Sequence, residues 1–247
     1  MKKGYKDKTT SFNIFVVFLC LYNRKMNKWY ILLMAISLII VVVCGAKHAT
    51  KLTTTIVERL TNNNQIVLLG DSVLNNASYV PKGQSVYDLL VSKSNNSNKV
   101  LNLAKDNATI VDLYSQLDKI PLELNNANTY VFISAGGNNL LQQQKSNENE
   151  LQLFSNYMNF VKSLRTRLNG VKINILNLYL PANPRYESYA KVVDTWNELL
   201  KTNSFKIGEI YNVLDIHALL QSPEDFVYDI EPSAVGGEKI ANLIWLT

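Results

Sequence analysis

Histidine and cysteine are scarce here: two of each stand among 247 residues. Cys20 and Cys44 both fall in apolar N-terminal runs, so neither a disulfide framework nor a cysteine-based metal site is open to the rest of the chain. His48 and His217 are far apart in sequence, and carboxylates scattered among the loops specify no metal by themselves. The expectation is a protein with no metal and no cofactor. Prolines (six) and glycines (ten) are few, and beyond residue 51 they gather into no linker and no repeat that would divide the chain. Charged residues make up 18% and apolar ones 47%. A chain of that composition buries a substantial core and is not disordered.

Acidic residues are nearly absent from one region only. Residues 1–51 carry nine Lys/Arg and one Asp, whereas residues 52–247 carry sixteen Lys/Arg against nineteen Asp/Glu. The formal net charge of +5 is therefore an N-terminal property, and the remainder is mildly acidic. A protein that grips a phosphate backbone needs its positive charge on the folded surface. Nucleic acid is excluded as a partner.

From Trp29 to Ala46 the sequence WYILLMAISLIIVVVCGA holds no charge. As a helix it spans about 27 Å, close to the hydrocarbon thickness of a bilayer. Arg24, Lys25 and Lys28 precede it, and Lys47 and Lys51 follow. The upstream cluster favours a cytoplasmic N-terminus with the bulk of the chain exported. A buried core helix normally shows a polar face, and this segment has none. The expected organisation is a basic segment (1–28), a transmembrane or signal-anchor helix (29–46), a juxtamembrane linker (47–64) and a folded domain (65–247). Cleavage at the small residues Cys44-Gly45-Ala46, giving a secreted protein, is the alternative. Met26 opens a stretch that reads as a complete signal or anchor, with residues 1–25 as an upstream extension.

Asn-rich patches at 62–64, 95–98 and 125–128 punctuate the folded region as loops. Between them come five short runs rich in Val, Ile and Leu: Ile66–Leu69, Val100–Leu103, Tyr130–Ser134, Ile173–Leu178 and Ile210–Leu214. None alternates strictly, which is how strands covered on both faces of a parallel sheet read. Helical stretches separate them, at Ser85–Ser92, Ile110–Leu117, Glu148–Leu168, Tyr186–Lys201 and Ala234–Leu246. The third carries one apolar stripe, from Leu151 and Phe154 through Tyr157, Met158 and Val161 to Leu164. Five strand–helix alternations predict a three-layer α/β/α sandwich around a five-stranded parallel sheet. Ligands of such folds sit beyond the carboxyl ends of the strands.

Chemistry-bearing residues follow those strands directly. The first strand runs into Gly70-Asp71-Ser72: the glycine permits a tight turn, Asp71 can brace the loop and Ser72 is left at the mouth of the sheet. The second leads into Ala104-Lys105-Asp106-Asn107-Ala108-Thr109, and the third into Gly136-Gly137-Asn138-Asn139. Glycines let the backbone approach a ligand closely, and an Asn behind them can donate from its amide.

Together the three blocks resemble those of the SGNH, or GDSL-type, hydrolases, over roughly residues 65–245. The resemblance implies a flavodoxin-like sheet and a serine acyl hydrolase. It makes Ser72 the nucleophile, with the Ser72 N–H, the Asn107 N–H and the Asn138 side chain as an oxyanion hole, and Gly137 beside them. The second block usually has glycine where Asn107 stands, and Asn tolerates the left-handed conformation better than most residues.

The last block departs further. The family normally ends Asp-x-x-His-Pro, with His as base and Asp orienting it. Here the sequence is Asp225-Phe226-Val227-Tyr228-Asp229-Ile230-Glu231-Pro232-Ser233, so Glu231 takes the histidine's place and Tyr228 the aspartate's. The ending resembles a branch with Ile-Glu-Pro-Ser, which also shares Asn76, Tyr79-Val80, Gln116-Leu117 before Pro121, and the run from Gly236 to Ala241. A glutamate starts near 4.3; burial or a neighbouring carboxylate is needed to make it a base, and Asp225 and Asp229 are sequence neighbours able to supply one. His217, just after the fifth strand, is a second candidate base.

The expectation is a membrane-anchored or exported serine esterase acting on a small-molecule, glycan or lipid acyl ester. The alternatives are a ligand-binding domain that has lost catalysis with its His–Asp pair, and an acyltransferase to surface glycans.

Overall fold

A computed structural model describes residues 64–96, 99–142, 149–207 and 210–247. The segment 29–46 read as a membrane helix lies outside them, as do the basic segment before it and the linker after it as far as residue 63. Among the described residues, no helix is long and apolar enough to cross a membrane.

Five parallel strands form the central sheet: β1 (Gln65–Gly70), β2 (Val100–Asn102), β3 (Thr129–Ser134), β4 (Lys172–Leu176) and β5 (Asn212–Leu214). Their order is β2-β1-β3-β4-β5, and β1 pairs with β3 along its whole length, from Gln65 opposite Thr129 to Gly70 opposite Ser134. This is the flavodoxin-type arrangement, whose reversal point lies at the β1/β3 carboxyl ends. Successive strand residues face opposite sides. Ile66 and Leu68 enter one hydrophobic cluster, with Val86, Leu90, Ile240 and Ile244. Val67 and Leu69 enter another, with Phe160, Val161, Leu164 and Trp196. Both faces being covered is the reason the strands show no polar alternation.

On the first face lie α1 (Val86–Ser94) and a C-terminal helix (Ala234–Leu246), which pack together. The second face carries α2 (Asp112–Leu117), α4 (Glu150–Arg167) and α5 (Ala190–Ile207), with the short α3 (Gly137–Gln142) directly after β3. Ser85 begins α1 through a reciprocal capping box with Asp88, and Asn149 caps α4 by accepting from the Gln152 N–H, each satisfying an otherwise orphaned donor. The stripe expected on α4 is buried at Phe154, Tyr157, Met158, Val161 and Leu164, while Leu151, its first member, is exposed.

Two features differ from the sequence expectation. The stretch before α5 opens as a 3₁₀ segment, Pro184–Tyr189, begun by Asn183 with proline at its first turn. After β5, the one-turn helix α6 (Ile216–Leu219) leads to a two-stranded antiparallel hairpin, β6 (Phe226–Val227) and β7 (Glu231–Pro232). The C-terminal helix, α7, then follows. The hairpin turns through Tyr228 and Asp229, both left-handed at φ 48° and 70°, with the Ile230 N–H donating to the Val227 carbonyl. Two successive left-handed residues here come without the Asn-Gly that normally announces such a turn.

Candidate active site

Gly70 ends β1 at φ 127°, and a Cβ there would lie 1.8 Å from the Ser134 carbonyl oxygen, so only glycine lets the chain turn away against β3. Gln116 fixes the exit: its Oε1 accepts from the Gly70 N–H at 2.7 Å and its Nε2 donates to the Gly70 carbonyl at 2.9 Å. The next residues form a tight turn, with the Leu74 and Asn75 N–H groups both donating to the Asp71 carbonyl. Ser72, on that turn, caps no helix; Ser85 does so for α1.

Asp71 is buried behind the serine. Its Oδ1 accepts from Ser134 Oγ at 2.9 Å and from the Val73 N–H at 3.2 Å. Burial raises its carboxyl to about 7; the two hydrogen bonds pull the other way, and the nearby Glu231 charge adds to the rise.

Glu231 reaches the same place from β7. Buried Asn76 ties the two segments together, donating to the Pro232 carbonyl at 3.3 Å while accepting from the Val86 N–H at 2.9 Å. The glycines of α7 permit this closeness: a Cβ on Gly237 would come within 2.7 Å of Asn76 Nδ2, and one on Gly236 within 2.2 Å of the Asp225 carbonyl oxygen. Glu231 has its pKa raised by burial, opposed by hydrogen bonding from the Ser72 hydroxyl, and raised further by the charge of Asp106. Its Oε2 is buried and has no hydrogen-bond partner.

Ser72, Asp71, Asn107, Gly137, Asn138 and Glu231 line one cavity of about 260 Å³. The remainder of the wall is mainly apolar, with Leu140, Leu141, Leu178, Leu180 and Val193. Among the described residues no lysine, arginine or histidine lines it. Asn138 donates one amide N–H to the Ala108 carbonyl at 3.0 Å, which leaves the other available. Asn107 is left-handed at φ 57°, and its N–H donates to Asp106 Oδ1 at 3.1 Å.

Four side chains stand elsewhere than the sequence reading expected. His217 faces a different and larger cavity, of about 750 Å³, with Asp194, Glu198 and Asp215. There its Nδ1 lies 3.2 Å from the Leu178 carbonyl oxygen, so it is not beside Ser72. Tyr228 is 71% exposed at the hairpin tip, where the left-handed turn directs it outward rather than toward Glu231. Asp229 pairs with Arg185 at 3.1 Å and Asp225 with Lys239 at 2.6 Å, so both sequence-neighbour carboxylates are neutralised by cations. The carboxylate that acts on Glu231 comes instead from Asp106, in the loop after β2.

Asp106 and its partner Tyr79, whose hydroxyl donates to Asp106 Oδ1 at 2.5 Å, were not singled out as site residues by sequence. The Ala104–Thr109 block and the Tyr79-Val80 pair were the only signals pointing at them.

No protein-family model and no curated protein matches the sequence. Solved structures do. A member of the lipolytic G-D-S-L family from Veillonella parvula is 16% identical, with a TM-score of 0.58 over 72% of this chain and 94% of its own. A GDSL-like lipase from Bacteroides thetaiotaomicron is 14% identical, with a TM-score of 0.57 over 74% and 86%. A lipase from a goat rumen metagenome is 18% identical, with a TM-score of 0.54 over 73% and 95%. The chain has the fold of the SGNH, or GDSL-type, hydrolases.

Proposed function

We propose that this chain is a serine ester hydrolase in which Glu231 does the work usually given to histidine. Ser72 Oγ attacks the ester carbonyl and passes its proton to Glu231. The carbonyl oxygen becomes an oxyanion, received by the Ser72 N–H and the free amide N–H of Asn138. The Asn107 N–H joins them when it leaves Asp106. Collapse of the tetrahedral intermediate expels the alcohol, which takes the proton back from Glu231. Water then attacks the acyl-serine, with Glu231 again accepting and returning a proton.

The observation that carries this reading is the meeting of Ser72, Asn138 and Glu231 on one cavity, with the Ser72 side chain close enough to Glu231 to lower its pKa. A positioned base contributes about 10²- to 10⁴-fold, and does so best when its pKa lies near ambient pH. Burial and the Asp106 charge move Glu231 in that direction. An unpaired Oε2 suits a base whose hydrogen bond tightens only once substrate arrives.

The cavity also narrows the substrate. Its volume of about 260 Å³ lies below the range of roughly 300–1,000 Å³ common for drug-sized ligands. Its leucine wall suits an apolar acyl group. Asp71 and Glu231 at its floor, with no lining cation among the described residues, disfavour an anionic one. The charge-free segment 29–46 and its upstream basic cluster support anchoring in a membrane with this domain on the exported side.

The test is hydrolysis of short-chain aryl esters by the purified chain, alongside Ser72→Ala and Glu231→Gln. Both variants should lose activity by at least about 100-fold, with thermal melting unchanged in Ser72→Ala. A fluorophosphonate should label the wild type and not Ser72→Ala. Equal rates from all three proteins would overturn the assignment.

A further inference from the structure

We propose that Asp106, clamped by Tyr79, is the positioning residue of the Ser72–Glu231 pair, a fixed negative charge that favours the protonated form of Glu231. This rests on the hydrolase reading and adds a third member to its machinery.

A base that accepts a proton from serine needs a partner that favours its protonated form. Position 228 supplies none, because Tyr228 points to solvent. The charge of Asp106 acts on Glu231 in that direction, and its carboxylate is held from two sides. Its Oδ1 accepts from the Tyr79 hydroxyl at 2.5 Å and from the Asn107 N–H at 3.1 Å. Tyr79 belongs to the loop that follows the nucleophile turn. Its ring meets that of Tyr228 edge-on, with centroids 6.1 Å apart, so the clamp also touches the hairpin that carries Glu231. The carboxylate thereby joins the nucleophile loop to the oxyanion loop, and the Tyr79 ring carries the link on to the base hairpin.

The groups around Glu231 make Asp106 electrostatically consequential. Asp71 lies behind it from the β1 exit, and its own carboxyl is raised by burial with the Glu231 charge contributing. Tyr79 and Tyr179 sense the Glu231 charge as well, and the Tyr179 hydroxyl is occupied donating to the Ile230 carbonyl at 2.7 Å. The cations of neighbouring elements are engaged elsewhere, Arg185 with Asp229 and Lys239 with Asp225; Lys105 is exposed. Glu231 is thus faced by carboxyls and phenols. In the proton transfer the Ser72 O–H bond breaks, a Glu231 O–H bond forms, and the negative charge passes from the carboxylate to the oxyanion. A fixed negative charge at Asp106 opposes the starting charge on Glu231 and favours the proton's arrival.

The same bond gives Asp106 a second consequence. Its bond occupies the Asn107 N–H in the resting protein, so full assembly of the oxyanion hole requires Asp106 to release it.

The experiment is the pH profile of kcat/KM for an aryl ester in Asp106→Asn, which keeps an acceptor for Tyr79 and Asn107 but removes the charge. The acid limb reports the free-enzyme base. It should move to lower pH by about one unit, and kcat should fall roughly 10-fold with KM nearly unchanged. Asp106→Glu, which restores the charge, should return the limb toward its original position. Tyr79→Phe, which leaves the charge but frees the carboxylate, should lower kcat and not KM, and it carries the test if Asp106→Asn melts far below the wild type. An unchanged limb and kcat in Asp106→Asn, or an unchanged kcat in Tyr79→Phe, overturns the inference. Glu231→Gln separates the two levels: if it is inactive while Asp106→Asn behaves as wild type, only this inference falls. If Glu231→Gln is fully active, the base assignment falls with it.

Discussion

Replacing Asp71 by asparagine tests the electrostatics of the site through stability rather than turnover. The substitution keeps an oxygen where Ser134 Oγ and the Val73 N–H donate, and removes the ability to ionise. Burial lifts the Asp71 carboxyl from 3.8 to about 7, so the folded protein holds this proton more tightly than the unfolded chain. The stability it brings is complete below about pH 4 and drains away as pH rises toward 7, at about 1.4 kcal/mol for each pH unit. The total is roughly 4 kcal/mol, on the order of 10 °C in melting temperature for a domain of this size. Asparagine pays no such penalty. Asp71→Asn should therefore match the wild type at about pH 4 and exceed it by roughly 4 kcal/mol at about pH 8. Denaturant titrations of both proteins at the two pH values measure this directly. In a Glu231→Gln background the gap should narrow, because one charge that raises Asp71 is gone. A wild-type-to-variant difference that is the same at both pH values refutes the assignment of a buried, proton-holding carboxyl behind Ser72.

Other substitutions probe the scaffold and the oxyanion hole. Gly70→Ala puts a Cβ 1.8 Å from the Ser134 carbonyl oxygen in a backbone conformation that L side chains rarely adopt; expression with no cooperative melting transition is the expected result. Asn138→Ala removes the side-chain donor and should cost about 10²- to 10³-fold in kcat at little change in KM, read by steady-state ester hydrolysis. Tyr228→Gly relieves a left-handed residue that is otherwise 71% exposed. It should raise stability by about 1 kcal/mol, less whatever the Tyr79 ring contact contributes, as a shift in denaturant midpoint at constant m-value.

The sheet was legible because parallel strands buried on both faces have no polar side to disguise them. Val67, Leu68, Leu69, Val131, Phe132 and Ile133 are all fully buried, and an unbroken apolar run is the only pattern such strands can leave. The helix pattern around Leu153–Leu164 was equally direct. The β6–β7 hairpin was not. Its strands have two residues each, too few for any periodicity, and its turn is made by Tyr228-Asp229 instead of a glycine-bearing pair.

The site divides along the same line. Gly70-Asp71-Ser72 and Gly136-Gly137-Asn138 sit at strand exits, where local sequence dictates placement, and they open on one cavity. The Tyr79–Asp106 bond joins residues 27 apart across two loops, and no spacing rule encodes such a meeting. His217 was a reasonable candidate from its position after β5, but strand ends on one sheet edge feed two cavities, and α6 turns the imidazole into the neighbouring one.

Asn76 gives the fold an order of completion. It joins Pro232 to the turn after Ser72, across 156 residues, and the fit depends on Gly236 and Gly237 of α7. During synthesis Ser72 and Asn138 emerge early, yet Glu231 has no fixed seat until α7 docks. On the proposed mechanism, a chain cut before α7 keeps Ser72 and Glu231 but not the packing that brings them together, and it should lose ester hydrolysis.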